Sequence, residues 1–465
     1  MISDQSTICA ISTPPGIGGI AVIRLSGREA IDIAAKVFIS PVKDKHLTEQ
    51  EANTLHFGLI KQEDKLVDEV IVALFRLPHS FTGEDVVEIS CHGSVFIQQQ
   101  ILQLLISKGA RLARPGEFTQ RAFLNGKMDL SQAEAVADLI ASGNAASHKV
   151  ALNQMRGGFS QEINKLREDL IRFIALIELE LDFSEEDVEF ADRKALIELS
   201  TRIQNLLKKL TDSFRLGNAI KNGIPVAIVG DTNVGKSTLL NALLNEDKAI
   251  VSEIHGTTRD VIEDLVNIDG MLFRLSDTAG LRDTADLIET MGIERSYGKL
   301  EKAEIVLLVI DLTDSINSIF RRINQIREKL TGQKLIIICN KMDISHSSSI
   351  IKLASYPLSV NEERVFIAAK SKENLGELVE KMKQSVSLGS INTEDVIVTN
   401  SRHYEALSLA LQSIERVING LKTGISGDFL AQDIRECLHH LGEITGLVTT
   451  DEVLGYIFKN FCIGK

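Results

Sequence analysis

The sequence predicts an α/β plus α protein in which a parallel-sheet domain interrupts a helical one. Three patterns carry that expectation. Residues 1–118 hold short runs rich in Val, Ile and Phe. Residues 119–218 place apolar side chains at three- and four-residue steps. Residues 223–378 alternate strand-like and helix-like segments, and helical spacing returns across 379–465. Such alternation builds a mostly parallel sheet covered by helices.

In the first segment the candidate strands are Gly19–Leu25, Leu55–Ile60, Val70–Leu77 and Val86–Ser90, followed by a helix over Val95–Lys108 that stops at Gly109. Each strand is short and rich in β-formers. In the second segment Ile163, Leu166, Leu170, Phe173, Ile177 and Leu181 form one seam, and Leu196, Leu199, Ile203, Leu206, Leu210 and Phe214 another. Seams of this period lie on long helices. The acids between Glu178 and Asp192 read as a solvated face or loop, with a metal or partner site as the alternative. The third segment offers strands Pro225–Gly230, Leu272–Asp277, Ile305–Asp311, Leu335–Asn340 and Val365–Ala369. Ser385–Asp395 reads as a linker. Beyond it Leu407, Leu411, Ile414, Ile418 and Leu421, then Ile434, Leu438 and Leu441, resume the helical period.

A chain of 465 residues suggests about three domains. Fifty-one basic against 64 acidic side chains leave a net charge of −13. That argues against a surface that grips nucleic acid everywhere, while leaving room for one basic patch or a basic partner. The five cysteines are odd in number and scattered. No disulfide framework or zinc site follows from them, and a reducing compartment does. The longest apolar runs, such as Ile305–Ile310, fall far short of the roughly 20 residues of a bilayer span. The start lacks a basic stretch followed by an apolar one, so a cytoplasmic location is expected.

Gly230-Asp-Thr-Asn-Val-Gly-Lys-Ser237 matches the phosphate-binding P-loop, after a strand and before a helix. Glycines let the backbone N–H groups of Asn233, Val234, Gly235, Ser237 and Thr238 curl round a β-phosphate. Lys236 reaches the β- and γ-oxygens, and the Ser237 hydroxyl takes Mg²⁺. Asp277-Thr278-Ala279-Gly280 supplies an acid on the magnesium side and an N–H for the γ-phosphate. Ser252, Glu253, Ile254, His255, Gly256, Thr257 and Thr258 lie between the two, where a switch segment belongs, and Thr258 offers Mg²⁺ a second hydroxyl. Asn340-Lys341-Met-Asp343 ends a later strand. A carboxylate at Asp343 can accept both N1–H and N2–H₂ of guanine, a donor pair that adenine lacks. Ala368-Ala369-Lys370 fits the remaining base contact. Four motifs in order at strand ends describe a guanine-nucleotide hydrolase. Many small GTPases place a water-orienting Gln after Asp-x-x-Gly; this chain has Leu281, which cannot orient water.

The chain resembles the bacterial tRNA-modification GTPase family MnmE, also called TrmE. The likeness rests on Thr13-Pro-Pro-Gly-Ile-Gly-Gly19, Ser80-Phe-Thr-Gly-Glu-Asp85, Arg114-Pro-Gly-Glu-Phe118 with Arg121-Ala-Phe-Leu-Asn125, Gly256-Thr-Thr-Arg-Asp260 and the terminal Phe461-Cys-Ile-Gly-Lys465. It spans essentially the whole chain. It implies a tetrahydrofolate-binding, dimerising α+β domain over 1–118, and a helical bundle over 119–218 and 379–465. A Ras-like G domain over 223–378 is inserted in that bundle.

The resemblance further implies a homodimer that joins the FAD-binding MnmG (GidA) protein in a heterotetramer. Together they install an aminomethyl or carboxymethylaminomethyl group at C5 of the wobble uridine of certain tRNAs, with tRNA held largely by the partner. The one-carbon source is a 5,10-methylene- or 5-formyl-tetrahydrofolate. In place of the missing Gln the family uses dimerisation of the G domains and K⁺. Its ligands match Asn233, Ser252, Ile254 through its carbonyl, and Thr257. Position 252 is commonly Thr, and Ser keeps the hydroxyl. Glu289 matches the carboxylate that orients the attacking water; read alone it is a solvent-facing residue. Folate contacts match Arg24, Glu88, Lys127 and Lys465. Taken singly, Arg24 reads as a surface charge and Glu88 as an edge residue. Cys462 could be a nucleophile or a packing residue, since thiol reactivity needs an electropositive, accessible setting.

The rival reading is a GTPase switch in ribosome assembly without modification chemistry. It predicts a basic RNA-binding appendage after the G domain, where this chain continues acidic to neutral and helical. A third reading is a folate-binding structural module that carries a slow GTPase.

Overall fold

The structure, a computed structural model, describes residues 6–63, 65–182, 193–244, 264–268, 271–277, 300, 303–386, 396–459, 461 and 463–464. These fall into two compact units, one of 1–140, 152–204 and 406–465 and the other of 141–151 and 205–405. The acids of 183–192 and most of the expected linker lie outside the described residues. Ser385 itself is the buried last residue of a helix.

The first unit opens with β1 (Ile8–Ile11), β2 (Ile20–Ser26), α1 (Ala30–Ala35), β3 (Phe38–Ile39), β4 (Thr54–Gln62), β5 (Lys65–Phe75), β6 (Val86–His92), α2 (Val95–Ser107), β7 (Arg111–Leu112) and α3 (Glu117–Leu124). The seven strands form one sheet in the order β3-β4-β5-β6-β2-β1-β7. Neighbours run antiparallel except β1 and β7. Alternation sends Ile23 and Leu25 of β2, Val70 and Val72 of β5, and Ile89 of β6 to one face. There they meet Ile31 and Ile33 of α1 and Ile101 and Leu105 of α2. The opposite face carries Leu55 and Phe57 of β4, Ile71 of β5 and Ile20 of β2, all exposed, with Phe57 at 55%. Phe57 and Ile71 are direct cross-strand partners.

Helices α4 (Leu130–Ala141), α5 (Ala145–Met155), α6 (Gly158–Asp182) and α7 (Arg193–Asn222) follow. The expected seam of α6 is buried at Ile163, Leu166, Leu170, Phe173 and Ile177. The helix Gly427–Thr445 packs against α6, and Arg167 donates 2.7 Å to the Leu438 carbonyl. The helix Asp451–Lys459 brings Phe458 against Gly116, at the start of α3.

In the second unit the strands β8 (Ile224–Val229), β9 (Asp264–Ile268), β10 (Met271–Asp277), β11 (Ile305–Asp311), β12 (Lys334–Asn340) and β13 (Glu362–Phe366) form a sheet in the order β13-β12-β11-β8-β10-β9. It is parallel but for β9, which runs against β10. Strand β11 lies between β8 and β12 and is buried at every position. Its apolar run Ile305–Ile310 is what a strand covered on both faces requires. Helix α8 (Lys236–Leu244) and the helix Leu375–Ser385 line one face through Leu239, Leu243, Leu378 and Met382. The helices Ile316–Arg327 and Ser347–Ala354 line the other through Ile319, Ile323 and Leu353. No helix among the described residues is long and apolar enough to cross a membrane.

Candidate functional site

The second unit gathers the phosphate and base motifs at the carboxyl ends of its parallel strands, the usual place for a ligand in such a sheet. Strand β8 ends at Val229 and the chain turns through Gly230, whose φ is 152°. A Cβ there would collide with the Val309 carbonyl of the neighbouring strand. Asn233 is left-handed at φ 65° and its side chain is exposed. Gly235 stands at φ 98°, where a Cβ would collide with Asn340 Nδ2. Helix α8 starts at Lys236, so its unpaired N–H groups face the loop.

Lys236 is buried and folds back over this loop. Its Nζ donates to the carbonyls of Gly230 at 2.9 Å and Asp231 at 2.6 Å. Ser237 and Thr238 are exposed in the first turn of α8. Asp277 ends β10 directly across from Ile228 of β8. Its backbone therefore lies beside the strand that feeds the loop.

Asn340, only 3% exposed, joins the two halves of the site. Its Nδ2 donates to the Val234 carbonyl at 2.8 Å, and its Oδ1 accepts from Ala369 N at 3.0 Å. One side chain thus holds the phosphate loop and the Ala368-Ala369 segment in fixed relation. The backbone continues the link, with Met342 N donating to the Ile367 carbonyl at 3.1 Å. Ala368 and Glu373 exchange hydrogen bonds in an isolated bridge that closes the loop carrying the exposed Lys370. Asp343, the residue after Met342, is exposed.

Lys341 is left-handed at φ 64° and pairs with Asp311 Oδ2 at 2.5 Å. Burial pushes the Asp311 carboxyl up, but hydrogen bonds from Lys341 and from Thr313 outweigh it and hold it below the usual carboxylate range. Asp311 is directly across from Asn340 in the sheet, yet the sequence offered no motif that singled it out. Ser252, Glu253, Ile254, His255, Gly256, Thr257, Thr258, Thr278, Ala279, Gly280, Leu281 and Glu289 lie outside the described residues.

The first unit brings Arg24 and Glu88 together. They are cross-strand partners on β2 and β6. Arg24 Nε donates to Glu88 Oε1 at 2.8 Å, and Arg24 NH2 lies 2.7 Å from the same oxygen. Strand β6 lies between β5 and β2, so Glu88 is an interior residue of the sheet and not an edge one. The guanidinium is 5.7 Å from the ring centroids of both Phe81 and Phe118.

The terminal segment reaches the same place. The Gly464 carbonyl accepts from Ser12 Oγ at 3.1 Å and from Arg24 NH1 at 3.5 Å. Gly464 has φ 93° and lies so close to β1 that a Cβ would collide with the Ile11 carbonyl. Lys127 donates 3.0 Å to the Pro78 carbonyl, on the loop that carries Phe81. A second polar cluster anchors that loop: Arg121 pairs with Glu84 at 3.0 Å, and Ser26 Oγ donates to Glu84 Oε2 at 2.7 Å. The motifs around Ser80 and Arg114 meet in this cluster, a role that their spacing did not disclose. Lys465 and Cys462 lie outside the described residues. Cys9, Cys91, Cys339 and Cys437 are buried. Burial pushes their thiols up, to about 11 for the first two and about 12 for the others. None of those four is a ready nucleophile.

Comparison with known proteins bears on the whole chain. A family model described as the MnmE helical domain matches residues 130–462. Another, the GTP-binding protein TrmE N-terminus, matches residues 7–127. A protein of Parabacteroides distasonis named tRNA modification GTPase MnmE is 57% identical over 463 residues, 99% of this chain and 100% of that one. Proteins of the same name from Bacteroides fragilis and Flavobacterium johnsoniae are 56% and 54% identical over 465 residues, covering 99% of this chain and all of theirs.

Proposed function

This chain belongs to the MnmE (TrmE) family of tRNA modification GTPases, and on that premise we propose that it is a K⁺-activated GTP hydrolase that modifies C5 of the wobble uridine with an FAD-dependent partner. The observation that carries the nucleotide half is the buried Asn340 amide, which ties the phosphate loop to the Ala368-Ala369 segment. A loop for phosphates and a loop for a base, locked at one spacing, suit a nucleoside triphosphate.

In this reading Lys236 leaves the Gly230 and Asp231 carbonyls for the β- and γ-phosphates, and Asp343 reads the guanine edge. Mg²⁺ falls to Ser237 and Thr258; Ser237 is exposed in the first turn of α8, as a ligand must be. K⁺ would be held by Asn233, Ser252, Ile254 and Thr257, where its charge would supply the stabilisation that an arginine finger gives other GTPases. The exposed Asn233 side chain at the loop's left-handed residue suits that part. Glu289 orients the attacking water.

The folate half rests on Arg24 and Glu88. Both Arg24 contacts fall on Oε1, and among the described residues Oε2 has no partner, so it can accept from a pterin. Lys127 and Lys465 suit an anionic tail. A bound tetrahydrofolate would supply the one-carbon unit, and Cys462 stands two positions before Gly464 in the sequence. The exposed apolar sheet face with Phe57 and Ile71 suits a second copy of the chain. The folate-binding domain is assigned to 1–118, the helical domain to 119–218 and 379–465, and the G domain to 223–378. A cytoplasmic location goes with the tRNA substrate.

The test is GTP turnover in KCl against NaCl at equal ionic strength, beside mass spectrometry of wobble nucleosides from a strain lacking the chain. Turnover should rise many-fold in K⁺, given the roughly 10³–10⁵ that an arginine finger contributes elsewhere. Asn233→Ala should lose that response while still binding GTP. Equal rates in the two salts would sink the cation assignment, and unchanged nucleosides would sink the modification assignment.

A further inference from the structure

We propose that Arg322 is a positioning residue for the phosphate loop, a cation that neutralises Asp231 and ties it to Asp314, on the loop between β11 and the helix Ile316–Arg327. Helix Ile316–Arg327 follows β11 and is fixed by Ile319 and Ile323, both fully buried. From the polar edge of that helix Arg322 pairs with Asp231 Oδ2, on the second residue of the phosphate loop. Its other nitrogen lies 3.5 Å from Asp314 Oδ2. The Arg322 side chain is 18% exposed and that of Asp231 54%, so the cation is the better anchored partner.

The chain of contacts continues. Asp314 N donates to the Asp311 carbonyl at 3.2 Å, and the Asp311 carboxylate pairs with Lys341. The phosphate loop and the Asn340–Asp343 segment are therefore joined twice, by the buried Asn340 amide within and by this ionic chain outside. A planar guanidinium can reach two carboxylates at once, which a lysine ammonium does less well.

The charge on Asp231 gives the pairing a purpose. A nucleoside triphosphate brings several negative charges to this loop, and Asp231 adds one of the same sign. Left alone it opposes binding through a partly screened repulsion. Arg322 cancels that charge and restrains the loop at the same time. A side chain that only stapled the helix would stabilise the fold but would leave nucleotide affinity indifferent to Asp231.

The experiment uses the full-length chain, a fluorescent GTP analogue, two salt concentrations and a melting curve for each variant. Arg322→Ala should bind about three- to tenfold more weakly at low salt, since a half-exposed charge pair is worth little more. The gap should narrow at high salt. Adding Asp231→Asn to Arg322→Ala should recover most of the affinity, because the charge needing an answer is gone. Should Arg322→Ala melt early, Arg322→Gln keeps most of the stem and takes its place in the same cycle. Parent-like affinity in the single variant, or a loss that Asp231→Asn does not recover, overturns the proposal. The inference rests on the nucleotide reading of this loop. A parent chain that fails to bind the analogue would refute that reading itself, an outcome distinct from either result above.

Discussion

Replacing Asn340 by Ala tests the joint on which the nucleotide site depends. The amide is 3% exposed and makes two hydrogen bonds to backbone, one to the Val234 carbonyl and one from Ala369 N. Alanine removes both at once. Each backbone group left buried without a partner costs about 1–3 kcal/mol, so the total is about 2–6 kcal/mol. A typical domain has only about 5–15 kcal/mol to lose. Part of the cost should appear as earlier unfolding of the nucleotide-binding unit in urea. The rest should appear as a phosphate loop no longer held at the right spacing, with GTP affinity down by about tenfold or more. Asn340→Asp is the companion. It keeps an acceptor for Ala369 N, loses the donor to Val234, and sets a negative charge beneath a loop that binds phosphates. It should therefore lose more GTP affinity than Ala for a similar loss of stability. A titration in which Asn340→Ala keeps both its unfolding midpoint and its GTP affinity would refute the reasoning, because the two loops would then be held by something else.

Two further outcomes are expected. Asp343→Asn should weaken GTP by about 2 kcal/mol, since buried donors on guanine lose their acceptor, while xanthosine triphosphate gains; competition between the two nucleotides measures it, and an unchanged preference removes Asp343 from the base site. Glu88→Gln should weaken tetrahydrofolate binding by about tenfold through loss of charge-assisted hydrogen bonds while leaving GTP turnover as it was, because Glu88 and the nucleotide site belong to different units; calorimetry with 5-formyl-tetrahydrofolate reads the first and phosphate release the second.

Much of the fold was legible because burial writes itself into period. Strand β11 is apolar at six successive positions and occupies the expected span Ile305–Asp311. The seam of α6 is buried residue by residue from Ile163 to Ile177. What escaped was short or polar. Strands β1, β3 and β7 have four, two and two residues, too few to show alternation. Strand β5 begins at Lys65, five positions before the expected Val70, because Asp68 and Glu69 interrupt its apolar reading. Strand β9, antiparallel to β10 at the sheet edge, is missing from the expected strands, because Asn267 breaks its short apolar run. The expected strand ending at Ala369 stops at Phe366, since Ala368 leaves the ladder to bridge Glu373.

The site divides along the same physical line. Phosphate and base motifs are local, because a backbone that curls round an anion needs its glycines and its lysine within a few residues of one another. Those were readable, and the described parts of them meet at one sheet end. The groups that brace them are not local. Asp311 reaches Lys341 across 30 positions, and Arg322 reaches Asp231 across 91. Only the register of β11 beside β12 and the burial of Ile319 and Ile323 bring those charges together. The same holds for Arg24 and Glu88, 64 positions apart and placed opposite each other by the pairing of β2 with β6. A lone charge in sequence is most often a solvated one. What turns it into part of a site is a partner supplied by tertiary pairing, and the groups that meet a ligand first are legible earlier than those that hold them in position.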